Sequence, residues 1–116
     1  LILQPLVENS IYHGIKEKKQ GGEIRGTVEK GQKGQTEVLF LKVWDNGAGI
    51  SKEHLEYMNE NLKNCRHSSK DGYGIYNVNE RIMLYYGKEF GLSYESTEGQ
   101  YTCATLTIPV EYREVE

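Results

Sequence analysis

Asp45-Asn46-Gly47-Ala48-Gly49-Ile50 ends the strand-like run from Val38 to Trp44 with an acid and two glycines one residue apart. A carboxylate there is a hydrogen-bond acceptor, suited to the amino group of a bound base. Glycine lacks a Cβ, so its backbone can take positive φ and lie against a flat or charged ligand. Asp-Asn-Gly is also ordinary turn chemistry, and the fragment alone leaves both readings open. Two further stretches bear on the choice. Near the start, Glu8 and Asn9 share one side of a helical pattern with Tyr12 and His13. An Asn carbonyl is a neutral hard-oxygen ligand of the kind Mg²⁺ accepts. Glu8 can polarise a water or hydroxyl, and His13 can meet a phosphate. A solvated polar helix face would look similar, although mid-helix Asn is mildly unfavourable and calls for a reason.

The third stretch, Gly72-Tyr73-Gly74, opens a helix directly after a polar loop, residues 63–71, that carries four Lys, Arg or His, including Lys70. Exposed amide N–H groups and the positive end of the helix dipole make an anion site. A turn before a helix is the plainer alternative.

These residues need elements to position them. Residues 2–19 carry Leu3, Leu6, Val7, Ser10, Ile11 and Gly14 at one-face helical spacing, with Pro5 tolerable in the first turn. Two strands follow, 23–30 and 37–45, joined by the polar stretch Gly31 to Gln35. The first is edge-like and the second central. Ser51 is placed to cap a helix reaching about Asn61, with Leu55, Met58 and Leu62 inward. A helix from Tyr73 to Tyr86 turns Ile75, Val78, Ile82 and Tyr85 inward and stops at Gly87. Residues 90–96 and 101–108 form a last hairpin around Glu98-Gly99-Gln100, and Pro109 marks the exit. This order predicts an α+β, two-layer α/β sandwich with helices on one face of a mixed sheet. There is no GxGxxG, and the regular strand-helix alternation of a Rossmann fold is missing.

The 116 residues suit one domain, 1–116, with a core of its own. Net charge is −3, so no basic field points to nucleic acid or to an anionic membrane. No apolar run reaches the roughly 18 residues of a membrane span. Cys65 and Cys103 have no metal-ligand spacing and read as free thiols. The chain begins at Leu1 and enters a helical pattern at once, which reads as a piece of a longer protein.

Together the stretches resemble a known family. Gln4-Pro5-Leu6-Val7-Glu8-Asn9-Ser10-Ile11-Tyr12-His13-Gly14 is similar to the N box of sensor histidine kinases, Asp45-x-Gly47-x-Gly49-Ile50 to the G1 box, and Gly72-Tyr73-Gly74-Ile75-Tyr76-Asn77-Val78-Asn79-Glu80-Arg81-Ile82 to the G2 box. Their order and separation resemble the catalytic ATP-binding domain of the GHKL superfamily (gyrase, Hsp90, histidine kinase, MutL), in its LytS/YesM-like branch. That resemblance implies a Bergerat-type sandwich. It implies that Asn9 holds Mg²⁺ on the phosphates of ATP, that Glu8 assists transfer, and that Asp45 accepts from the adenine amino group. Gly47, Gly49 and Ile50 would lie near the base. His13, Lys70, Gly72, Tyr73 and Gly74 would serve the phosphates, and Thr102 would reach adenine through water. Residues 51–71 would be a mobile lid over the nucleotide.

The branch commonly has Lys where Tyr12 stands, and Tyr101 occupies the place of a Gly that often precedes the threonine. No F box is present, and the strands that normally precede the N box are missing. The implied function is transfer of the γ-phosphoryl of Mg·ATP to a histidine on a dimerisation domain of the same parent, with a response regulator downstream. Nucleic acid and direct membrane contact are not expected, and the parent would be membrane-anchored with this piece facing the cytoplasm. A degenerate nucleotide- or partner-binding module without phosphotransfer, and a GHKL-type ATPase, are the alternative readings.

Overall fold

A mostly polar, exposed strand, a two-residue turn and an apolar strand with the run Val38-Leu39-Phe40-Leu41 make the first hairpin. In the computed structural model, which describes residues 3–11, 15 and 21–111, β1 (Ile24–Lys33) and β2 (Thr36–Asp45) pair antiparallel from Ile24↔Asp45 to Lys33↔Thr36. Gly34, at φ 63°, takes the first loop position, where a hairpin turn matched to strand twist needs positive φ. A second hairpin, β3 (Gly91–Thr97) with β4 (Tyr101–Pro109), completes a sheet of order β1-β2-β4-β3. The α+β sandwich stands, but the expected mixed sheet is corrected. Every pairing among the described strands is antiparallel, because each hairpin reverses the chain and β4 runs back alongside β2. As expected, β1 is an edge strand and β2 is central.

The helices are α1 (Gln4–Ser10), α2 (Lys52–Lys63) and α3 (Gly74–Tyr86). Pro5 sits in the first turn of α1, where its missing N–H costs nothing. The part of the expected helix 2–19 beyond Ile11 lies outside the described residues, apart from Ile15. Ser51 caps α2 by accepting from the His54 N–H at 3.2 Å. Gly87, at φ 114°, ends α3.

The core lies between the helices and one face of the sheet. Leu6 of α1, Met58 and Leu62 of α2, and Ile75, Val78 and Ile82 of α3 meet Val43, Leu92, Tyr94, Ala104 and Leu106. Burying each of the large aliphatic side chains stabilises the fold by roughly 1.5–3 kcal/mol. Two expected inward residues are corrected. Ile11, the residue that ends α1, is 45% exposed; Tyr85 is 76% exposed because α3 turns its Ile75-Val78-Ile82 stripe to the sheet.

Two helix asparagines close the outer edge of β3. Asn59 of α2 donates to Tyr94 O and accepts from Tyr94 N, both at 2.9 Å. Asn79 of α3 accepts from Leu92 N at 2.9 Å and donates to Leu62 O at 2.8 Å. They satisfy backbone groups that an edge strand otherwise leaves open. They also tie α2 to the sheet, so the segment expected as a mobile lid, 51–71, is corrected: its first half is a core helix. Only residues 64–71 remain as a strap between α2 and α3.

Candidate functional site

Two adjoining clefts open where α1, the β2–α2 loop and the start of α3 meet. The larger, of about 310 Å³, is lined by Asn9, Gly49, Ile50, His54, Met58, Lys70, Asp71 and Glu98, among others. The smaller, of about 170 Å³, is lined by Pro5, Glu8, Asn9, Asp71, Gly72, Gly74 and Ile75. Asn9 and Asp71 belong to both walls, so the two spaces meet at these side chains. Part of each of the three stretches singled out by residue type therefore lines these adjoining clefts: Gly49 and Ile50, Glu8 and Asn9, and Gly72 and Gly74.

The first wall is the loop after β2. Asp45 is 1% exposed, and its Oδ1 accepts from the Gly47 N–H at 2.9 Å. Its Oδ2 has no partner among the described residues. Gly49 sits at φ 72°, and a Cβ there would lie 2.3 Å from the Thr97 carbonyl oxygen. Its glycine requirement therefore comes from the β3–β4 turn as well as from any ligand. The Gly99 N–H donates to Ala48 O at 2.6 Å, and the Ile50 N–H donates to Ser96 Oγ at 2.7 Å. Ser96 in turn donates to Tyr101 O at 2.6 Å. Its single proton being used, the 3.1 Å contact with Thr102 Oγ1 has Thr102 as donor. Thr102, 6% exposed, stands across the ladder from Asp45 and keeps its acceptor lone pairs. Asp45, Gly47 and Thr102 line neither cleft.

The second wall is α1. Asn9 Nδ2 lies 3.5 Å from the Tyr94 hydroxyl, and its Oδ1 is free of donors among the described residues. Burial pushes the Tyr94 hydroxyl pKa well above the usual tyrosine range, so it stays protonated beside Asn9. Glu8 faces the smaller cleft and accepts from Gln4 Nε2 at 2.9 Å. His13 lies outside the described residues.

The third wall is the strap and the start of α3. Gly72 has φ 76° with open space where a Cβ would go. Its N–H donates to Ser69 O at 3.3 Å, so a phosphate would have to displace that bond. Tyr73, 61% exposed, lines neither cleft and occupies the N-cap position without a side-chain cap. The first N–H groups of α3, those of Gly74, Ile75 and Tyr76, consequently have no partner among the described residues, the condition for binding an anion at a helix start. Gly74 also lets Pro5 approach, a Cβ there lying 3.2 Å from Pro5 Cβ. Lys70 faces the larger cleft with Nζ 5.0 Å from the Tyr57 ring centroid.

Three contributors escaped the reading of the sequence. Asp71, 8% exposed, takes Tyr76 Oη at 2.6 Å and His54 Nε2 at 2.5 Å on its two oxygens. Burial, and then the Asp71 bond, raise the Tyr76 pKa, so this hydroxyl remains a donor. Ser96 orders the loop before α2 from a strand 46 residues away. The available signals were a polar residue before a Gly-x-Gly turn and one of two serines in a strand, neither distinctive.

With carboxylates at Glu8, Asp71 and Glu98 against Lys70, the clefts do not carry the surplus of positive charge that a bare polyphosphate wants. The geometry can seat a flat group against Gly49 and Ile50 and an anion at the start of α3, with the oxygens of Asn9 and Glu8 on the side of that anion available to a hard cation as counter-charge. No described helix is long and apolar enough to cross a membrane.

A family model described as "Histidine kinase-, DNA gyrase B-, and HSP90-like ATPase" matches residues 1–112. Sensor protein LytS of Bacillus anthracis is 35% identical over 117 residues, covering 99% of this chain and 18% of that protein. Sensor histidine kinase/phosphatase LytS of Staphylococcus aureus is 35% identical over 115 residues, covering 99% and 19%. The Bacillus subtilis protein YwpD is 33% identical over 109 residues, covering 93% and 35%. The chain thus spans between about a fifth and a third of the length of these curated relatives.

Proposed function

From its place in the histidine kinase-, DNA gyrase B- and HSP90-like ATPase family, to which this chain belongs, we propose that it is the Mg·ATP-binding catalytic domain of a two-component sensor histidine kinase. Membership implies ATP binding; the phosphotransfer to a histidine is our reading. The observation that carries it is the meeting of the two clefts at Asn9, with the Gly49–Ile50 wall on one side and the uncapped start of α3 on the other. A base, a sugar and a row of phosphates have that same linear order.

In this reading Asp45 and Thr102 read adenine. Ile50 and Met58 give the base an apolar contact, and Gly74 leads the N–H groups that hold phosphate oxygens. Gly72, Tyr73, Lys70 and His13 belong to the phosphate side. Asn9 offers a neutral oxygen to Mg²⁺, held in place by Tyr94, and Glu8 assists transfer. The ion, when bound, supplies charge neutralisation on the phosphates. The chain's own contribution is positioning, which accounts for most of the catalysis in phosphoryl transfer. The acceptor histidine belongs to a dimerisation domain of the parent protein, with a response regulator as the next recipient, and this domain works on the cytoplasmic side of the membrane.

Joining the chain to a dimerisation domain of the LytS type and supplying γ-labelled ATP tests the reading. Acid-labile, alkali-stable label on that domain is the expected result, abolished by Asn9→Ala. Normal ATP binding with no label transferred would leave a nucleotide-binding module and remove the kinase.

A further inference from the structure

Asp71 occupies an unexpected position for a carboxylate. It lies in the wall shared by both clefts, between the side where the base is placed and the side where phosphates are placed. A carboxylate repels phosphate, and when ionised it can only accept hydrogen bonds. Its two oxygens offer roughly four acceptor directions, and the described contacts use two: Tyr76 Oη on Oδ2 and His54 Nε2 on Oδ1. Those donors fix the carboxylate in one orientation with one lone pair per oxygen to spare. What lies between a base and a phosphate chain in a nucleotide is a vicinal diol, two hydroxyl donors side by side. Paired hydroxyls match paired carboxylate oxygens, the same chemistry that acidic residues use on ribose in dinucleotide folds.

We propose that Asp71 recognises the ribose hydroxyls of the bound nucleotide and makes the site select ribonucleotides over deoxyribonucleotides. The inference rests on the nucleotide reading above. His54 and Tyr76 then act as positioning residues, holding the carboxylate rather than touching the sugar.

Isothermal calorimetry with ADP, 2′-deoxy-ADP and 3′-deoxy-ADP tests it, each titrated with Mg²⁺ and again in EDTA. The unaltered chain should bind ADP about tenfold more tightly than either deoxy form, the scale of one hydrogen bond to a charged group. That ratio should persist in EDTA. Asp71→Ala, which removes both acceptors, should bring the ratio to about one; Asp71→Asn, which keeps the shape and a neutral polar group that a hydroxyl can still bond, should lower it, both checked for fold by circular dichroism. Equal binding of all three ligands by the unaltered chain overturns the proposal. So does a ratio that survives both variants, which would make Asp71 a support for the turn alone, or one that vanishes with the metal, which would make it a metal contact. If ADP itself does not bind, the nucleotide reading falls first.

Discussion

The two sides of the site are built by different means. The loop after β2 is locked through its own backbone groups: Gly99 N–H to Ala48 O, Ile50 N–H to the Ser96 hydroxyl, and Gly49 pressed against the Thr97 carbonyl. The strap and the start of α3 are held by side chains: His54 and Tyr76 on Asp71, Tyr57 on Ser68, and His67 on Glu80. Gly72 beside them has open space around it. The contrast teaches that the side proposed for the base is preformed, while the side proposed for the phosphates can yield. Backbone packed on backbone tolerates almost no displacement, whereas partly exposed pairs such as Tyr57–Ser68 and His67–Glu80 contribute little and are easily exchanged for a ligand; of the strap's contacts, the Tyr76–Asp71 bond is the buried one.

The largest effect is expected where backbone meets backbone. Gly49→Ala puts a Cβ into the Thr97 carbonyl and forces an L-residue to φ 72°. It should destabilise the fold by about 3 kcal/mol, the sum of overpacking and left-handed strain, as measured by urea unfolding. Stability within 1 kcal/mol of the unaltered chain would mean that this loop is as yielding as the other side. Next, Ser96→Ala leaves the Ile50 N–H without its acceptor and should cost about 1–2 kcal/mol, with weaker ADP binding as a second readout. Gly72→Ala, at φ 76° and ψ 177° where glycine is favoured but with free space for a Cβ, should cost about 1–2 kcal/mol, strain without a clash. The ratio between the Gly49 and Gly72 effects measures the contrast directly.

His54→Ala should change global stability by less than about 1 kcal/mol, because the His54 side chain is 37% exposed. Amide exchange in residues 64–71 should nonetheless quicken while that of 45–50 stays unchanged. Equal acceleration of both would erase the distinction between the two sides. The smallest effect at neutral pH comes from Tyr76 and Tyr94, whose pKa values burial raises. Above about pH 10 the unfolded tyrosines lose their protons first, so the folded state binds more protons and stability falls as pH rises. Tyr76→Phe should flatten that alkaline decline, read from melting temperatures across the range.

Much of this was legible from residue order. Ser51 as a cap, Gly87 as a stop, β1 as an edge and the glycine stretches as walls all follow from local rules that act within a few residues. What escaped depends on neighbours far along the chain. Asn59 meets Tyr94 across 35 residues, and Asp71 meets His54 across 17. The oddity of a mid-helix Asn, used to single out Asn9, applied equally to Asn59 and Asn79. In those two the reason is structural, since they close an edge strand and turn α2 from an expected lid into core. Tyr85 shows the opposite failure: helical spacing marks a face but not whether anything packs on it.

On the proposed reading, Asp45, Asn9 and the start of α3 all serve one adenine nucleotide. Isothermal titration of Mg·ADP into the unaltered chain and into Asp45→Ala tests it most directly. Binding by the former and a loss of about tenfold to a hundredfold in the latter is expected, the scale of a buried hydrogen bond to a carboxylate. Equal affinity of the two proteins, both folded, would contradict it.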